Sequence, residues 1–270
     1  MPVSVNANGA NLPPQFEVTI STSDGSAMTS VSLVRTAGGV KTSTRVQPTA
    51  GLASRYIEDP EGDWDTPVVY TATYSTATLG TVTESSSAQT LTPSPSAFWA
   101  IHPTVPSRSM ALDVQDFGAA GIASIGDLSR AAQASQHPII GSPLPLLTKI
   151  GNRRAVAGQL ELTTTSIAEL TKLLNLTNDE TPLLLRAPAS WGWAWEAGFY
   201  AVGELTESRR LQYGPEPSRT FRLPVQKVAA PAGTQQSSWS WGGLASGYAD
   251  WNAVANGFAD WNAVTGNNPG

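Results

Sequence analysis

Alternating hydrophobic and polar positions dominate the first third of the chain. FEVTIS places Phe16, Val18 and Ile20 on one face, and VVYTATY repeats the same two-residue period further along. Turn-forming residues separate these runs, as in SDG, AGG and EDPEGD. A period of two is that of a β-strand with one buried face. Residues 16–95 are therefore predicted to form a small antiparallel β-sandwich domain.

The segments on either side of these strands lack a clear period. Residues 1–15 carry Asn, Gly and Pro, which predicts an N-terminal arm. TESSSAQTLTPSPS, from Thr83 to Ser96, is rich in Ser, Thr and Pro and predicts a linker. The main domain boundary is therefore expected near residue 95.

A strand–helix–strand pattern marks the second predicted domain, residues 96–230. VAGQLELT has β-character, and LLL at 183–185 is a short apolar strand. Between them, Ser166 and Glu169 have the spacing of a capping box, and residues 175–180 are expected to end the helix. An apolar stripe over two turns predicts the packed face. The stripe consists of Ile167, Leu170, Leu173 and Leu174.

Aromatic residues recur every ten positions in the C-terminal segment, residues 231–270. A continuous helix with 3.6 residues per turn would not keep such residues on one face. The pattern predicts short helical turns instead, which Asp begins and Gly ends. The repeated apolar positions are Trp241, Leu244, Tyr248, Trp251, Val254, Phe258, Trp261 and Val264.

Single helical turns are too short to bury these side chains by themselves. Each Trp can bury about 200 Å², which corresponds to roughly 5 kcal/mol of gross transfer free energy. The repeat therefore predicts a strip that docks on another protein surface. Packing back onto its own chain and disorder remain the alternatives.

Composition narrows the classes of function. The net charge is −5, charged residues make up 14%, and no run of Lys or Arg occurs. Nothing here predicts nucleic-acid recognition or attraction to anionic lipid. No stretch of 18 apolar residues predicts a membrane span, and the N-terminus lacks the pattern of a secretory signal. The chain has no cysteine, which excludes disulfides and thiol ligands.

Candidate chemical residues are few. His102 and His137 each precede proline, lie far apart in sequence, and are predicted to be turn or surface residues. The acidic run EDPEGDWD, residues 58–65, does not have the spacing of a calcium loop and is predicted to be a solvated turn. No catalytic, cofactor-binding or metal-binding residue is predicted, so the chain is expected not to be an enzyme.

Four rings form the one candidate small-ligand face. These rings are two or four residues apart along the chain, which would place all of them on one side of a strand. They belong to Trp191, Trp193, Trp195 and Phe199. Such a face could bind sugar rings, or it could pack under the helix or against a neighbouring subunit. Carbohydrate binding at a host surface is therefore the alternative function.

The tail repeat, W-x-x-L/V with intervening Tyr or Phe after a linker, resembles the ends of minor tail proteins from phages of actinobacteria. The strand, helix and Leu-rich strand of residues 151–188 are similar in order to the split β-barrel of distal-tail proteins. VVYTATY resembles a late strand of fibronectin type III or immunoglobulin-like modules, and the lack of cysteine favours the fibronectin-like form. The extra module of distal-tail proteins more often follows the barrel, whereas here it precedes it.

The resemblance implies a structural component of the phage tail tip, made in the cytoplasm of the bacterial host. It would form part of a ring or collar that joins the tail tube to hub or receptor-binding proteins. The implied partners are further copies in a ring of three- or six-fold symmetry, together with tube, hub and tape-measure proteins. Neither nucleic-acid sequence recognition nor membrane insertion is implied, and no cofactor is expected.

Overall fold

The computed structural model shows a mainly β protein with one α-helix among the residues it describes, which confirms the predicted fold class at that level. Two compact units divide the chain: Met1–Ala111 with Leu184–Ala197 and Pro231–Gly270, and Leu112–Leu183 with Gly198–Ala230. The described residues are 3–9, 13–45, 48, 50–93, 97–113, 121–125, 128–131, 134–137, 146–149, 155–187, 196–209 and 218–232.

The first unit contains a β-sandwich of two antiparallel sheets. Its strands are β1 (Val3–Asn8), β2 (Gln15–Ser21), β3 (Met28–Ala37), β4 (Val40–Ser43), β5 (Ser54–Asp59), β6 (Pro67–Thr76), β7 (Gly80–Ser85) and β8 (Gln89–Thr90). One sheet has the order β1-β2-β5. The other has the order β4-β3-β6-β7, and β8 also pairs with β6.

The sandwich core consists of the inward-facing residues that the alternation predicted. Phe16, Val18 and Ile20 of β2 are fully buried, as are Tyr70 and Tyr74 of β6. Side chains from both sheets belong to one hydrophobic cluster. Because successive strand residues point to opposite faces, this core requires the register in which β2 pairs with β5 and β3 with β6.

Two predicted segments differ from the structure. Residues 3–8 are not part of an arm, since β1 pairs along its whole length with β2 and Val3 is buried. The predicted linker starts inside β7 and includes β8 and the buried Leu91. In both places Asn, Ser and Pro obscured short strands that pair with nearby strands, β1 with β2 and both β7 and β8 with β6. The boundary near residue 95 stays a prediction.

The first unit also includes β9 (Ala97–Ile101), and the second unit begins within β10 (Met110–Asp113), after a short 3₁₀ turn at Pro106–Arg108. The later elements are β11 (Gly121–Ile125), β12 (Ala134–His137), β13 (Leu146–Lys149), β14 (Ala157–Thr164), α1 (Ile167–Thr177), β15 (Leu183–Arg186), β16 (Gly198–Val202), β17 (Thr206–Arg209) and β18 (Arg219–Val228). In the first unit, residues 184–186 of β15 pair antiparallel with β9.

Long strands organise the second unit. β14 pairs antiparallel with both β11 and β18, and the eight register pairs with β18 run from Ala157↔Gln226 to Thr164↔Arg219. On its other edge, β18 pairs with β16 and then with β17. The strands predicted in VAGQLELT and LLL are present as β14 and β15.

The predicted helix is present, and its capping box is confirmed. The Ser166 hydroxyl accepts from the Glu169 amide at 3.2 Å, and a Glu169 carboxylate oxygen accepts from the Ser166 amide at 3.2 Å. The helix ends at Thr177, with Asn178 as its C-cap, inside the segment 175–180 that was predicted to end it. Leu173 and Leu176 are buried whereas Ile167 is 71% exposed, so the buried face is rotated from the predicted stripe.

Candidate functional site

The site residues predicted from the sequence lie mostly outside the described residues. This holds for all eight residues of the C-terminal repeat and for Trp191, Trp193 and Trp195. Phe199 is described: it lies on β16, opposite Val228 of β18, and is half-buried. Docking by the tail and carbohydrate binding by the aromatic face therefore stay predictions.

The described site with the densest chemistry is the acidic turn after β5, and the solvated turn predicted there was wrong. Glu58, Asp59 and Glu61 are buried, with 9%, 2% and 8% of their surfaces exposed. Asp63 and Asp65 are exposed. Buried carboxylates need partners, and arginines distant in sequence supply them to Asp59 and Glu61. We call these residues together the turn network: Arg35, Arg45, Asp59, Glu61, Tyr70 and Arg186.

Asp59 joins three parts of the sandwich. Its carboxylate accepts from Nη1 of Arg35 at 2.7 and 2.9 Å and from the Tyr70 hydroxyl at 2.9 Å. It also accepts from the backbone amide of Glu61 at 3.0 Å, which shapes the turn. Burial alone would lower the pKa of Arg35, but the adjacent Asp59 carboxylate raises it above its ordinary value.

Glu61 pairs with Arg45, and Arg45 reaches the start of the C-terminal segment. Nε of Arg45 donates to a Glu61 carboxylate oxygen, and both side chains are more than nine-tenths buried. Nη1 of Arg45 donates to the backbone carbonyl of Pro231 at 2.6 Å. One buried guanidinium therefore binds both the acidic turn and the point from which residues 231–270 begin.

Arg186, the last residue of β15, binds the backbone of the same turn. Its Nη1 donates to the Gly62 carbonyl and its Nη2 to the Glu61 carbonyl, the latter at 2.6 Å. Its Cζ lies 5.2 Å from the centroid of the Trp64 ring, which is cation–π distance. Burial lowers the pKa of Arg186 to about 10, and the charge of Asp63 partly opposes this shift.

Two indole groups lie beside Arg186 and complete what we call the Trp–Arg cluster: Trp64, Trp99 and Arg186. Trp99 of β9 is 4% exposed and stands directly opposite Arg186 in the strand pairing. Nε1 of Trp64, Nε1 of Trp99 and Nε of Arg186 are buried and have no hydrogen-bond acceptor in the described part of the chain.

Among the described side chains, His102 has a structural role in a turn. His102 is completely buried, so the surface position considered for it was wrong, but it does shape a turn. Its Nδ1 accepts from the Val105 amide at 3.0 Å. The side chain of His137 lies outside the described part. Within the described residues, no group of three or more His, Asp or Glu side chains is placed to hold a metal ion.

An open groove of about 680 Å³ lies in the second unit, beside the C-terminal end of α1. Leu174, Leu183 and Leu205 line it, and the exposed Glu180 and Glu204 make it acidic. The last turn of α1 carries no basic residue. The groove therefore favours a cationic side chain over an anionic one.

The chemistry of the turn network is structural. Its carboxylates, Asp59 and Glu61, are held in ion pairs with buried arginines. Sequence reasoning missed it because the contacts span large separations, such as 124 residues between Gly62 and Arg186. The available signals were the acidic run itself and isolated arginines in apolar surroundings, as in LLLRAP and SLVRTA.

No known protein-family model matches this chain, and no curated protein matches it. The described residues contain no helix with the length and hydropathy that a membrane span requires.

Proposed function

We propose that this protein is a structural, non-enzymatic component of a phage tail tip and that its C-terminal segment docks on neighbouring proteins. The observation that carries the proposal is the bond between Arg45 and the Pro231 carbonyl at 2.6 Å. Because Glu61 orients this guanidinium, the repeat segment starts from a fixed point on the sandwich unit. A docking segment with a fixed origin loses less entropy when it binds.

The architecture supports the same role. The strand order β1-β2-β5 against β4-β3-β6-β7 is the arrangement expected of a fibronectin-type sandwich, a module used for display and contact. The strand β14, the helix α1 and the Leu-rich strand β15 follow one another in the order expected of the split β-barrels that build tail rings. β14 and α1 belong to the second unit, and residues 184–186 of β15 belong to the first. In this proposal the second unit contributes to a ring of three- or six-fold symmetry, and the sandwich lies outside it. Tube, hub and tape-measure proteins are the partners.

Two variants test the docking role. A chain that ends after Ala232 keeps the Arg45–Pro231 bond and lacks the repeat, and a full-length Trp241→Ala/Trp251→Ala/Trp261→Ala variant keeps the length. We expect both to fold with the wild-type circular dichroism spectrum. In sedimentation velocity and in particle reconstitution, both should lose assembly that the full chain shows. Full assembly by either variant would contradict docking by the repeat.

The location in a virion needs a separate test. Antibodies raised against residues 13–93 and coupled to gold should label one end of tailed particles from the source organism, at the end distant from the capsid. Label on capsids, or tailed particles from which the protein is absent by mass spectrometry, would contradict the tail-tip assignment.

A further inference from the structure

The Trp–Arg cluster brings three side chains of the first unit together. Arg186 and Trp99 are direct partners in the antiparallel pairing of β15 with β9. Directly opposed residues in such a pair project from the same face of the sheet, with Cβ atoms about 5 Å apart. Trp64 lies against Arg186 from the acidic turn, at 5.2 Å from Cζ to the ring centroid.

All the unsatisfied groups in this cluster are donors. They are Nε1 of Trp64, Nε1 of Trp99 and Nε of Arg186. An indole nitrogen and a guanidinium nitrogen can only donate, so none of the three can satisfy another. A buried donor without an acceptor loses the hydrogen bonds it makes to water in the unfolded chain and gains none in return, which is costly. The chemically matched occupant is a group that only accepts, and an oxyanion is such a group.

The cluster carries the positive charge of Arg186, which favours a negatively charged ligand. Within the described residues, Arg186 has no carboxylate at salt-bridge distance, and its two hydrogen-bond acceptors are the neutral backbone carbonyls of Gly62 and Glu61. Asp59 and Glu61 are already paired with Arg35 and Arg45. A guanidinium that is 93% buried without an anionic partner is costly, and an anion would reduce that cost.

We propose that the Trp–Arg cluster binds one small oxyanion group, a carboxylate or a tetrahedral oxyanion, through the two indole N–H groups and Nε of Arg186. The group can come from solution as a free ion, or from the exposed side chain of Asp63 in the same turn. The proposed site is the one for a free ion. It requires no particular assembly partner, so its failure would leave the tail-tip proposal intact.

Indole N–H resonances provide a direct test. The nine tryptophans give nine indole signals in a ¹H–¹⁵N spectrum, and Trp64→Phe and Trp99→Phe identify the two that matter. Titration of the full chain with sodium sulfate or sodium acetate, at ionic strength held constant with sodium chloride, should move both signals downfield and saturate. Small unsaturating shifts of all nine signals, or no response of these two, would overturn the proposal.

Conservative variants sharpen the result. Trp99→Phe keeps an aromatic side chain, although a smaller one, and removes the indole donor, so the apparent Kd reported by the Trp64 signal should weaken by about tenfold. Arg222→Met, which removes a 58% exposed guanidinium in the second unit, should leave the Kd unchanged. If Trp99→Phe binds as tightly as the wild type, the indole donor is not a ligand and the site is wrong.

Asp63→Asn distinguishes the two sources of the oxyanion. For a free ion, this variant should bind sulfate more tightly, because a nearby negative charge has been removed. If Asp63→Asn instead moves both indole signals without added anion, the Asp63 carboxylate is the acceptor and the free-ion site is refuted.

Discussion

Gly62 shows the constraints of the acidic turn at the scale of a single residue. A Cβ at this position would lie 2.3 Å from Cδ2 and 2.5 Å from Cε2 of Phe16, a fully buried ring of the sandwich core. It would also lie 3.0 Å from the Tyr70 hydroxyl. Because Arg186 binds the Gly62 carbonyl, the turn cannot move away without breaking that bond.

Gly62→Ala should therefore lower the free energy of unfolding by about 1–3 kcal/mol, the usual cost of overpacking a core. Urea denaturation measures this change. Gly203→Ala is the matched control, since its Cβ would meet Pro224 at 3.4–3.6 Å, close to ordinary contact. Equal losses in the two variants would show that the contact with Phe16 is not the cause.

Tyr70 should give the sandwich a characteristic alkaline response. Burial raises the pKa of Tyr70, and the charge of Asp59 and its hydrogen bond to the Tyr70 hydroxyl raise it further. The unfolded chain loses this proton near its ordinary pKa of about 10, whereas the folded chain keeps it. The stability due to Tyr70 is therefore complete below about pH 10 and falls as the pH rises beyond it.

The stability difference between wild type and Tyr70→Phe should accordingly shrink by about 1 kcal/mol from pH ~10 to pH ~11. Wild type and variant must be compared because Arg186 has the opposite effect on stability. The pKa of Arg186 is lowered to about 10 in the folded chain, so the stability that Arg186 contributes rises with pH over this range in both proteins. Guanidinium chloride denaturation measures both chains. A difference that stays constant with pH would mean that Tyr70 ionises normally in the folded state.

At the scale of an element, the start of helix α1 could be predicted from neighbouring residues, whereas its buried face could not. The capping box involves only neighbouring backbone and side-chain groups, so Ser166 and Glu169 were sufficient to predict it. The buried face depends on what the helix packs against, and α1 contacts β14. Leu173 and Leu176 face the interior as a result, whereas Ile167 and Leu174 are exposed.

Three substitutions in this helix should separate these contributions. Ser166→Ala should cost about 1 kcal/mol through loss of the cap, and Leu173→Ala about 2–5 kcal/mol through loss of core packing. Ile167→Ala should change stability by less than about 0.5 kcal/mol, because that side chain is 71% exposed. Urea denaturation ranks them. A large decrease in the free energy of unfolding for Ile167→Ala would mean that Ile167 is packed, as the sequence pattern predicted.

For the whole molecule, the turn network connects segments that are far apart in the chain. Arg45 and Pro231 are separated by 186 residues, and Glu61 and Arg186 by 125. These contacts join the sandwich to the end of β15 and to the first residues of the C-terminal segment, all within the first unit. Substitution of one residue of the turn network should therefore lower the stability of the first unit and not only that of its own turn.

Arg45→Met should lower the free energy of unfolding by about 3–5 kcal/mol, because Glu61 remains buried without its partner. The double variant Arg45→Met/Glu61→Met removes both charges and should recover part of this loss. Both variants should be cleaved faster by elastase after the alanines at 229 and 232, since the Pro231 carbonyl loses its donor. Chemical denaturation and timed proteolysis provide the measurements.

Arg209→Met is the control for this pair, because Arg209 is a 65% exposed arginine whose Nε lies 3.7 Å from Glu207. It should change stability by less than about 1 kcal/mol. If the double Arg45/Glu61 variant is as unstable as the sum of its single variants, the two residues do not act as a pair.

Local patterns in the sequence determined the class of fold and several of its elements. The two-residue alternation in FEVTIS and VVYTATY predicted strands whose inward residues form the sandwich core. The capping box and the LLL strand were equally readable, because each depends on neighbouring residues alone. The ten-residue repeat is likewise a property of the sequence, and its docking role remains to be tested.

The tertiary structure alone decided which charged residues are inside. The run EDPEGDWD has the composition of an exposed turn, yet Arg35, Arg45 and Arg186 bring its carboxylates and carbonyls into the interior of the first unit. The pairing partner of β1 and the buried face of α1 were decided in the same way. For β1 and α1 the deciding partners are the neighbouring elements β2 and β14, whereas the arginines that meet the acidic run lie 16 to 125 residues away. The free energy of burying a charge is set by the partner that meets it there.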